Sequence, residues 1–182
     1  MRLFVAIPLA QEVIDALERF ARSLRSEGDG LRWSSPESWH ITLQFLGETS
    51  DEKYNGVLGL LRDVRASKVP VQLNETGFFD RAGVFFAGVN VSTEMVDLEK
   101  QVLAATKKCG FVAEDRPFHP HVTLARAKGN NRMNALRRLK RRVKENVGFP
   151  AFTATEFRLC EAFLGPGGSR YEVRAQFPLG DG

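Results

Sequence analysis

Two stretches of the chain repeat apolar residues at steps of three and four positions, the spacing that places side chains on one face of an α-helix. The first stretch covers residues 11–26 and the second covers residues 93–108. Each predicts an amphipathic helix with one buried face. The apolar positions are Val13, Leu17, Phe20 and Leu24 in the first stretch and Met95, Leu98, Val102 and Ala105 in the second.

Strands are predicted at both ends of the chain. The apolar run over residues 3–7 is interrupted by Pro8. It is too short for the core of a signal peptide or for a membrane span, so it predicts a buried first strand. Near the other end, the glycine- and proline-rich residues 165–168 are typical of a hairpin turn. This turn would join strands over residues 156–163 and 170–177.

Four segments of the first half of the chain have counterparts, in the same order, in the second half. The spacing between counterparts is 80 to 82 residues in every case. Four matches at a nearly constant spacing indicate a duplicated unit. The matching segments are residues 3–6 and 84–87, 12–15 and 94–97, 40–43 and 121–124, and 69–71 and 149–151.

The duplication predicts the fold class. Each copy contains an apolar strand, an amphipathic helix, a second strand, a second helix and one or two further strands. This order predicts an α+β fold of two antiparallel sheets with outer helices, arranged as two lobes about a pseudo-two-fold axis. A central cleft would lie between the lobes. The repeat units cover roughly residues 1–80 and 81–178 of one 182-residue domain, and exchange of strands between them is compatible with the pattern.

A His-x-Thr sequence occurs once in each copy, at His40 and Thr42 and at His121 and Thr123. Because side chains alternate along a strand, the histidine and threonine of each motif share one face. The apolar residues beside them turn toward the core. The duplication then places one imidazole and one hydroxyl on each wall of the cleft.

Two imidazoles across a small gap suit acid–base catalysis at phosphorus, where one takes a proton from water and the other protonates the departing oxygen. With an unperturbed pKa of ~6.5, histidine has both forms available near neutral pH. The threonine hydroxyls can donate hydrogen bonds to phosphate oxygens. The alternative is that each histidine is structural. Of three histidines, two occupy equivalent positions in the duplication, which favours catalysis.

The segments around these motifs resemble the signatures of the 2H phosphoesterase superfamily. The resemblance is closest to its RNA 2′,3′-cyclic phosphodiesterase branch, also called 2′-5′ RNA ligase, and it covers nearly the whole chain. It is carried by residues 40–47 and 119–126, and also by residues 2–8, 32–33, 115–118 and 164–168.

The resemblance implies that the substrates are RNA with 2′,3′-cyclic phosphate ends, or cyclic nucleotides, and that the products are 2′-phosphomonoesters. It implies no metal and no other cofactor. His40 would donate a proton to the departing 3′ oxygen and His121 would activate water, although the residues alone leave these two roles interchangeable. Thr42 and Thr123 would hold the phosphate.

Two further residues occupy related places, five positions after each histidine. The resemblance makes Arg126 a phosphate-binding residue. Strict alternation from His121 would put it on the opposite face, so we expect the strand to end or to twist sharply before it, next to the loop over residues 128–131. An exposed strand-end arginine is the alternative. Phe45 is either a stacking surface for a nucleobase or a core residue.

Charge favours an anionic partner without naming one, since the net charge is +4 and the pI is about 9.3. Nine lysines and arginines lie between Arg126 and Lys144, before Glu145. A helix over residues 132–146 would be either a track for the RNA backbone or a solvated face. Cys109 and Cys160 lack a paired spacing, which is typical of a reducing cytoplasm. We expect a cytoplasmic monomer that does not bind membranes.

Three alternatives remain open at this level. His119 departs from the family pattern, and together with His121 and His40 it would form a three-histidine zinc site. The same catalytic residues would serve the reverse reaction, which joins the two halves of a cleaved tRNA through a 2′-5′ linkage. The chain would otherwise be an RNA-binding module that has lost catalysis, although both motifs are intact.

Overall fold

The computed structural model describes residues 1–143, 147–166 and 168–180. Residues 144–146 of the predicted basic helix and Gly167 of the predicted turn lie outside the described residues. The described residues form the predicted α+β fold. The helices are α1 (Gln11–Leu24), α2 (Asp51–Arg62), α3 (Thr93–Lys107) and α4 (Arg132–Arg142). The strands are β1 (Arg2–Pro8), β2 (Leu31–Trp33), β3 (His40–Glu48), β4 (Val69–Val71), β5 (Leu73–Phe79), β6 (Val84–Val89), β7 (His121–Ala127), β8 (Phe152–Ala154), β9 (Glu156–Gly165) and β10 (Gly168–Pro178).

Helices α1 and α3 confirm the two predicted amphipathic helices, and their predicted apolar faces are buried. Serine side chains cap two helices. Ser50 accepts a hydrogen bond from the backbone N–H of Lys53 at the start of α2, and Ser92 accepts one from Met95 at the start of α3. Such caps satisfy N–H groups that the first helical turn leaves without partners. None of the helices in the described ranges is long and apolar enough to cross a membrane.

The two large sheets are assembled by exchanging strands between the repeat units. The first sheet has the order β10-β9-β1-β3 and the second has the order β2-β7-β6-β5. Strand β9, from the second unit, pairs with β1, while β5, from the first unit, pairs with β6. The short strand β2, which the sequence did not reveal, also crosses over to pair with β7. Each four-stranded sheet therefore contains strands from both units.

Strands β4 and β8 pair with each other in a separate two-stranded sheet, with Pro70 opposite Thr153. The sequence match of β4 with residues 149–151 does not coincide with the strand that pairs with β4, because β8 begins at Phe152. Phe149 is a core residue instead. It precedes β8 in the chain, and its ring packs edge-on against that of Phe20, with ring centroids 5.7 Å apart.

One apolar core contains side chains from both repeat units. Strand β1 confirms the predicted buried first strand. Leu3, Val5 and Ile7 belong to this core. Phe4 and Ala6, which alternate with them along β1, belong to a smaller cluster on the opposite face. Both faces of β1 are therefore covered, which explains why its sequence is a continuous apolar run rather than an alternating one.

A buried polar contact fastens helix α3 to strand β3. The Thr106 hydroxyl donates a hydrogen bond of 2.7 Å to Oε1 of Gln44. Thr106 is 0% exposed and Gln44 is 6% exposed. Because buried polar atoms without partners are costly, this single bond keeps the Gln44 side chain from being left unsatisfied at its oxygen.

We predict that Thr106→Val lowers the free energy of unfolding by about 1–3 kcal/mol. Valine has nearly the same shape but leaves Gln44 Oε1 without a donor, and that is the usual cost of orphaning a buried polar atom. Urea unfolding followed by circular dichroism measures the change. Thr153→Val is the matched control, because Thr153 is exposed on β8 and should change stability by less than about 0.5 kcal/mol. Equal effects of the two substitutions would contradict the prediction.

Candidate active site

Strand pairing in the first sheet shows which side chains share a face with His40. Alternate residues of β1 lie on one face of the sheet, so their partners on β3 lie there too. Between Val5 and Ala6 the register shifts, because Leu43 of β3 has no partner and forms a β-bulge. The pairs on this face are Pro8 with His40, Ala6 with Thr42 and Phe4 with Phe45.

The second sheet repeats this arrangement around His121. Here Leu124 is the residue without a partner, at the equivalent position of β7. Strand β7 does not end before Arg126, since it continues to Ala127. The alternative expectation, a sharp twist before Arg126, agrees with the β-bulge at Leu124. The bulge, rather than a strand end, reverses the alternation and brings the guanidinium to the face that carries His121. The pairs on this face are Gly88 with His121, Phe86 with Thr123 and Val84 with Arg126.

These two faces form the walls of the cleft. Strands β3 and β7 lie next to each other across it. His40 and His121 are close enough for the charge of one to affect the pKa of the other. Ile41 and Val122, which alternate with the motif residues, are buried in the core. The catalytic role of the two His-x-Thr motifs stays a prediction.

Aromatic side chains hold the His40 ring. Phe4 stacks on it with ring centroids 4.7 Å apart, and Tyr171 of β10 meets it edge-on at 5.1 Å. Its Nδ1 lies 2.8 Å from the backbone carbonyl of Ser38, and its Nε2 lies 3.1 Å from the hydroxyl of Thr42. A carbonyl only accepts hydrogen bonds, so Nδ1 carries the proton and donates it.

His121 has an equivalent environment on the other wall. The rings of Phe79 and Phe86 surround it at 5.0 and 5.3 Å, and its Nδ1 lies 2.7 Å from the backbone carbonyl of His119. In both motifs the carbonyl two residues before the histidine therefore fixes the same tautomer, in which Nε2 carries no proton. Nε2 of His121 has no hydrogen-bond partner among the described residues.

The cleft lowers the pKa of both histidines. Burial, which disfavours the charged ring, is the main cause for His40, and the charge of His121 adds to it. The hydrogen bond to Ser38 opposes the shift, and the resulting pKa is about 4. Burial is also the main cause for His121, where the charges of His119 and Arg126 add to a shift that the His119 carbonyl opposes. In the free protein near pH 7, both rings are therefore mostly neutral.

Phe45 is exposed to solvent, with 58% of its surface accessible, so the alternative that it belongs to the core is wrong. Its ring lies 6.2 Å from that of Phe4 on the same wall of the cleft. An exposed ring beside the histidine is available for stacking, and that role stays a prediction.

The three histidines do not form a metal site. Among the described residues, no group of three histidine, cysteine or acidic side chains is placed to hold an ion. His119 is exposed, and its ring packs edge-on against Phe79 at 5.3 Å. Its centroid is 6.1 Å from that of His121. The geometry gives His119 a backbone role, because its carbonyl orients His121.

Helix α4 lies on the outer face of the second sheet, away from the cleft, because Ala135, Leu136 and Leu139 pack into the core. Three of its basic side chains contact other parts of the protein. Arg138 donates to the carbonyl of Asp29, Arg142 donates to Ser26, and Lys140 is 2.8 Å from the carboxylate of Asp80. The hypothesis that this helix is an RNA track beside the cleft is therefore not supported. Lys144 of the basic run lies outside the described residues.

Sequence reasoning missed Tyr171, Phe4 and Ser38 as parts of the site. The position of Phe4 could have been predicted, because Phe4 alternates with the core residues of the first strand and must therefore lie on the opposite face of that strand. Tyr171 carried none, because its position next to His40 depends on the order β9-β1-β3 across the first sheet. No short sequence pattern encodes that order.

Known proteins resemble the chain over nearly its full length. The family model described as the 2′-5′ RNA ligase superfamily matches residues 10–162. A Methanocaldococcus jannaschii protein named RNA 2′,3′-cyclic phosphodiesterase is 29% identical over 178 residues, covering 95% of this chain and 98% of the relative. An Aeropyrum pernix protein of the same name is 30% identical over 171 residues, covering 90% of this chain and 97% of the relative.

Solved structures agree in fold. The crystal structure of Escherichia coli LigT complexed with 3′-AMP has a TM-score of 0.78 and 25% sequence identity, and the match covers 98% of this chain and 97% of that one. The crystal structure of TT0787 of Thermus thermophilus has a TM-score of 0.79 and 26% identity, and the match covers 100% and 99%. Because the family model covers most of the sequence and the relatives match over nearly their whole length, the chain belongs to the 2′-5′ RNA ligase superfamily.

Proposed function

We propose that the protein is an RNA 2′,3′-cyclic 3′-phosphodiesterase that opens cyclic phosphate ends to 2′-phosphomonoesters. The observation that carries the proposal is the pair of histidines on opposite walls of one cleft, each fixed in the same tautomer by a backbone carbonyl. The names of the curated relatives support the substrate class. Its partners are RNA with a 2′,3′-cyclic phosphate end, or the corresponding cyclic nucleotides.

In the proposed reaction, Nε2 of His121 takes a proton from a water molecule as the water oxygen attacks phosphorus. The bond between phosphorus and O3′ breaks, and protonated Nε2 of His40 gives its proton to that oxygen. Thr42 and Thr123 donate hydrogen bonds to the non-bridging oxygens. One proton enters at His121 and one leaves at His40, so the site returns to its starting state after proton exchange with solvent.

Hydrogen bonding supports this division of roles. Nε2 of His121 has no partner in the described part of the chain and is available to accept from water. Nε2 of His40 already faces the Thr42 hydroxyl at 3.1 Å. Protonation of His40 requires its pKa to rise from about 4. The negative charge of a phosphate held between the rings favours the protonated form, so the substrate itself supplies the required shift.

Further proposals concern the setting of the reaction. Phe45 offers an exposed ring on which the base of the terminal nucleotide stacks. The ligation reaction, in which a ribose 5′-hydroxyl replaces water as the nucleophile and the bond between phosphorus and O3′ breaks in the same way, would use the same groups. The thiols of Cys109 and Cys160 are free, which suits a protein of the reducing cytoplasm, and we propose that it acts there as a monomer.

The direct test is to incubate the protein with adenosine 2′,3′-cyclic phosphate in EDTA and to identify the product by chromatography. We expect adenosine 2′-phosphate. His40→Ala and His121→Ala should each lower the rate by roughly 10²–10⁴-fold, the usual contribution of a general acid or base.

His119→Ala is the matched control, because removing that side chain keeps the backbone carbonyl that orients His121. It should lose far less activity than either cleft variant. Circular dichroism checks that all three variants are folded. A 3′-phosphate product would contradict the assignment of the leaving oxygen. Retention of more than about a third of the activity by His40→Ala or His121→Ala would contradict the two-histidine mechanism.

The lowered pKa values predict an unusual pH profile. The kcat/KM profile of an acid–base pair is a bell bounded by the two pKa values of the free enzyme. Both values are lowered from 6.5, and that of His40 is about 4, so the bell should be centred below pH 6.5. The kcat profile reports the enzyme with substrate bound, where the phosphate raises both values, so its centre should lie at higher pH. Steady-state kinetics from pH 4 to 9 test this. A kcat/KM profile centred above pH 7 would contradict the prediction that both histidine pKa values are lowered in the free enzyme.

The position of Arg126 on the cleft face predicts a role in holding the cyclic phosphate. Arg126→Ala should lower kcat/KM for cyclic mononucleotide and RNA substrates by a similar factor of roughly 10- to 150-fold, the worth of a charge-assisted hydrogen bond. Arg126→Lys should restore only part of the activity, because an ammonium cannot make two parallel bonds. Arg19→Ala, at an exposed position of α1, is the control for lost charge. Full activity of Arg126→Ala would disprove the assignment.

A further inference from the structure

Two arginines face each other at one end of the cleft. Arg32 of β2 and Arg126 of β7 occupy directly opposite positions in the antiparallel ladder. Like charges at such positions repel and destabilise a sheet unless an opposite charge lies between them. Within the described residues, neither guanidinium forms a salt bridge or a hydrogen bond. The pair is therefore an uncompensated concentration of positive charge.

The local structure holds Arg32 on the cleft face. Its neighbours Leu31 and Trp33 pack toward the core, so alternation turns Arg32 to the opposite side. The carboxylate of Asp29 fixes this strand, because it accepts a hydrogen bond of 2.9 Å from the backbone of Leu31 and another of 2.9 Å from the indole of Trp33. Gly168, at the start of β10, lies beside the Arg32 stem.

Arg32 and Arg126 line a cavity of about 100 Å³. Since one water molecule occupies about 30 Å³ of the liquid, the cavity has room for a group the size of about three waters, such as a phosphate. Ser34 and Ser169 also line it. Hydroxyls and guanidinium groups are the donors that bind phosphate oxygens.

This cavity adjoins the catalytic cleft. It shares Ser38, whose carbonyl orients His40, and Tyr171, whose ring packs against His40. Arg126 belongs to both places, because its charge also acts on His121. Arg32 lines the cavity and is not among the groups that act on either histidine. The cavity therefore offers positive charge to a second anion beside the scissile phosphate.

We propose that this Arg32 cavity binds the phosphate on the 5′ side of the terminal nucleotide of an RNA substrate. The proposal rests on the proposed phosphodiesterase function. In such a substrate the cyclic phosphate joins O2′ and O3′ of the last ribose, and the next anion along the chain is the phosphate on O5′ of the same ribose. The cavity would let the enzyme distinguish the end of an RNA chain from a free nucleoside cyclic phosphate.

The test compares three substrates: adenosine 2′,3′-cyclic phosphate, the same compound with a 5′-phosphate, and the dinucleotide ApA with a 2′,3′-cyclic phosphate end. For the wild-type protein, kcat/KM should be roughly tenfold or more higher for the two substrates that carry a 5′-side phosphate. Arg32→Gln should abolish this gain and leave the 5′-hydroxyl mononucleotide within about twofold of its wild-type rate. Arg32→Lys should keep part of the gain. Arg19→Gln, which removes one positive charge from an exposed site on α1, should keep all of it.

Each other outcome overturns the proposal. An equal loss on all three substrates in Arg32→Gln would show that Arg32 supports the cyclic phosphate or the fold. An absent preference in the wild type, or an unchanged preference in Arg32→Gln, would show that the cavity is not used. A gain for the 5′-monophosphate but not for the dinucleotide would exclude the RNA chain as its occupant.

Binding separates this inference from the proposed function. Titration calorimetry should show that adenosine 2′,5′-bisphosphate binds more tightly than adenosine 2′-phosphate to the wild type, and that Arg32→Gln removes the difference. If no substrate is hydrolysed, the phosphodiesterase proposal fails while this comparison still tests the cavity. Equal affinities of the two nucleotides for the wild type would overturn the cavity proposal on their own.

Discussion

In a β-strand the direction of a side chain is fixed by whether its position is odd or even. The cleft depends on breaking that rule in β3 and in β7, between each histidine and the residue five positions after it. The unpaired residues Leu43 and Leu124 each add one position to a strand without adding a partner. Each histidine, which precedes the bulge, and the residue five positions after it therefore lie on the same face of the sheet. These residues are His40 and Phe45 in β3, and His121 and Arg126 in β7. Without the two bulges, Phe45 and Arg126 would turn toward the core, where an arginine has no partner and would be costly to bury.

Much of the fold could be predicted because the duplication made weak signals reinforce each other. A single His-x-Thr strand is a poor signal. Two copies at the same spacing indicated the succession of helices and strands along the chain and a shared face for each histidine and its threonine. The sequence failed where a feature depends on pairing between distant strands. The bulge at Leu124 is one example, since leucine fits a regular strand equally well. The short strand β2 is another, because three residues provide too little periodicity and its partner lies in the other repeat.

The electrostatics of the cleft follow from what surrounds each charged group. Phe4 and Tyr171 exclude water from His40, and Arg126 adds positive charge beside His121. An empty cleft of this kind disfavours further positive charge and attracts an anion. Binding and proton transfer are thereby coupled, since the phosphate that occupies the cleft also makes a protonated histidine favourable. The tautomer of each histidine does not depend on the phosphate, because the backbone carbonyls of Ser38 and His119 already accept a hydrogen bond from Nδ1 in the free protein.

The exchange of strands between the repeats has a consequence for how the chain folds. Leu3 at the beginning of the chain pairs with Glu161 near its end, so this part of the first sheet is dominated by contacts of very long sequence separation. Folds rich in such contacts form slowly, because the entropy of closing a large loop is lost before the strand pairing contributes any favourable free energy. During synthesis on the ribosome, one edge of β1 has no partner until β9 has been translated. The side chains of residues 3–7 are apolar, and the unpaired edge can pair with another chain. In this interval the nascent chain is therefore most prone to aggregation.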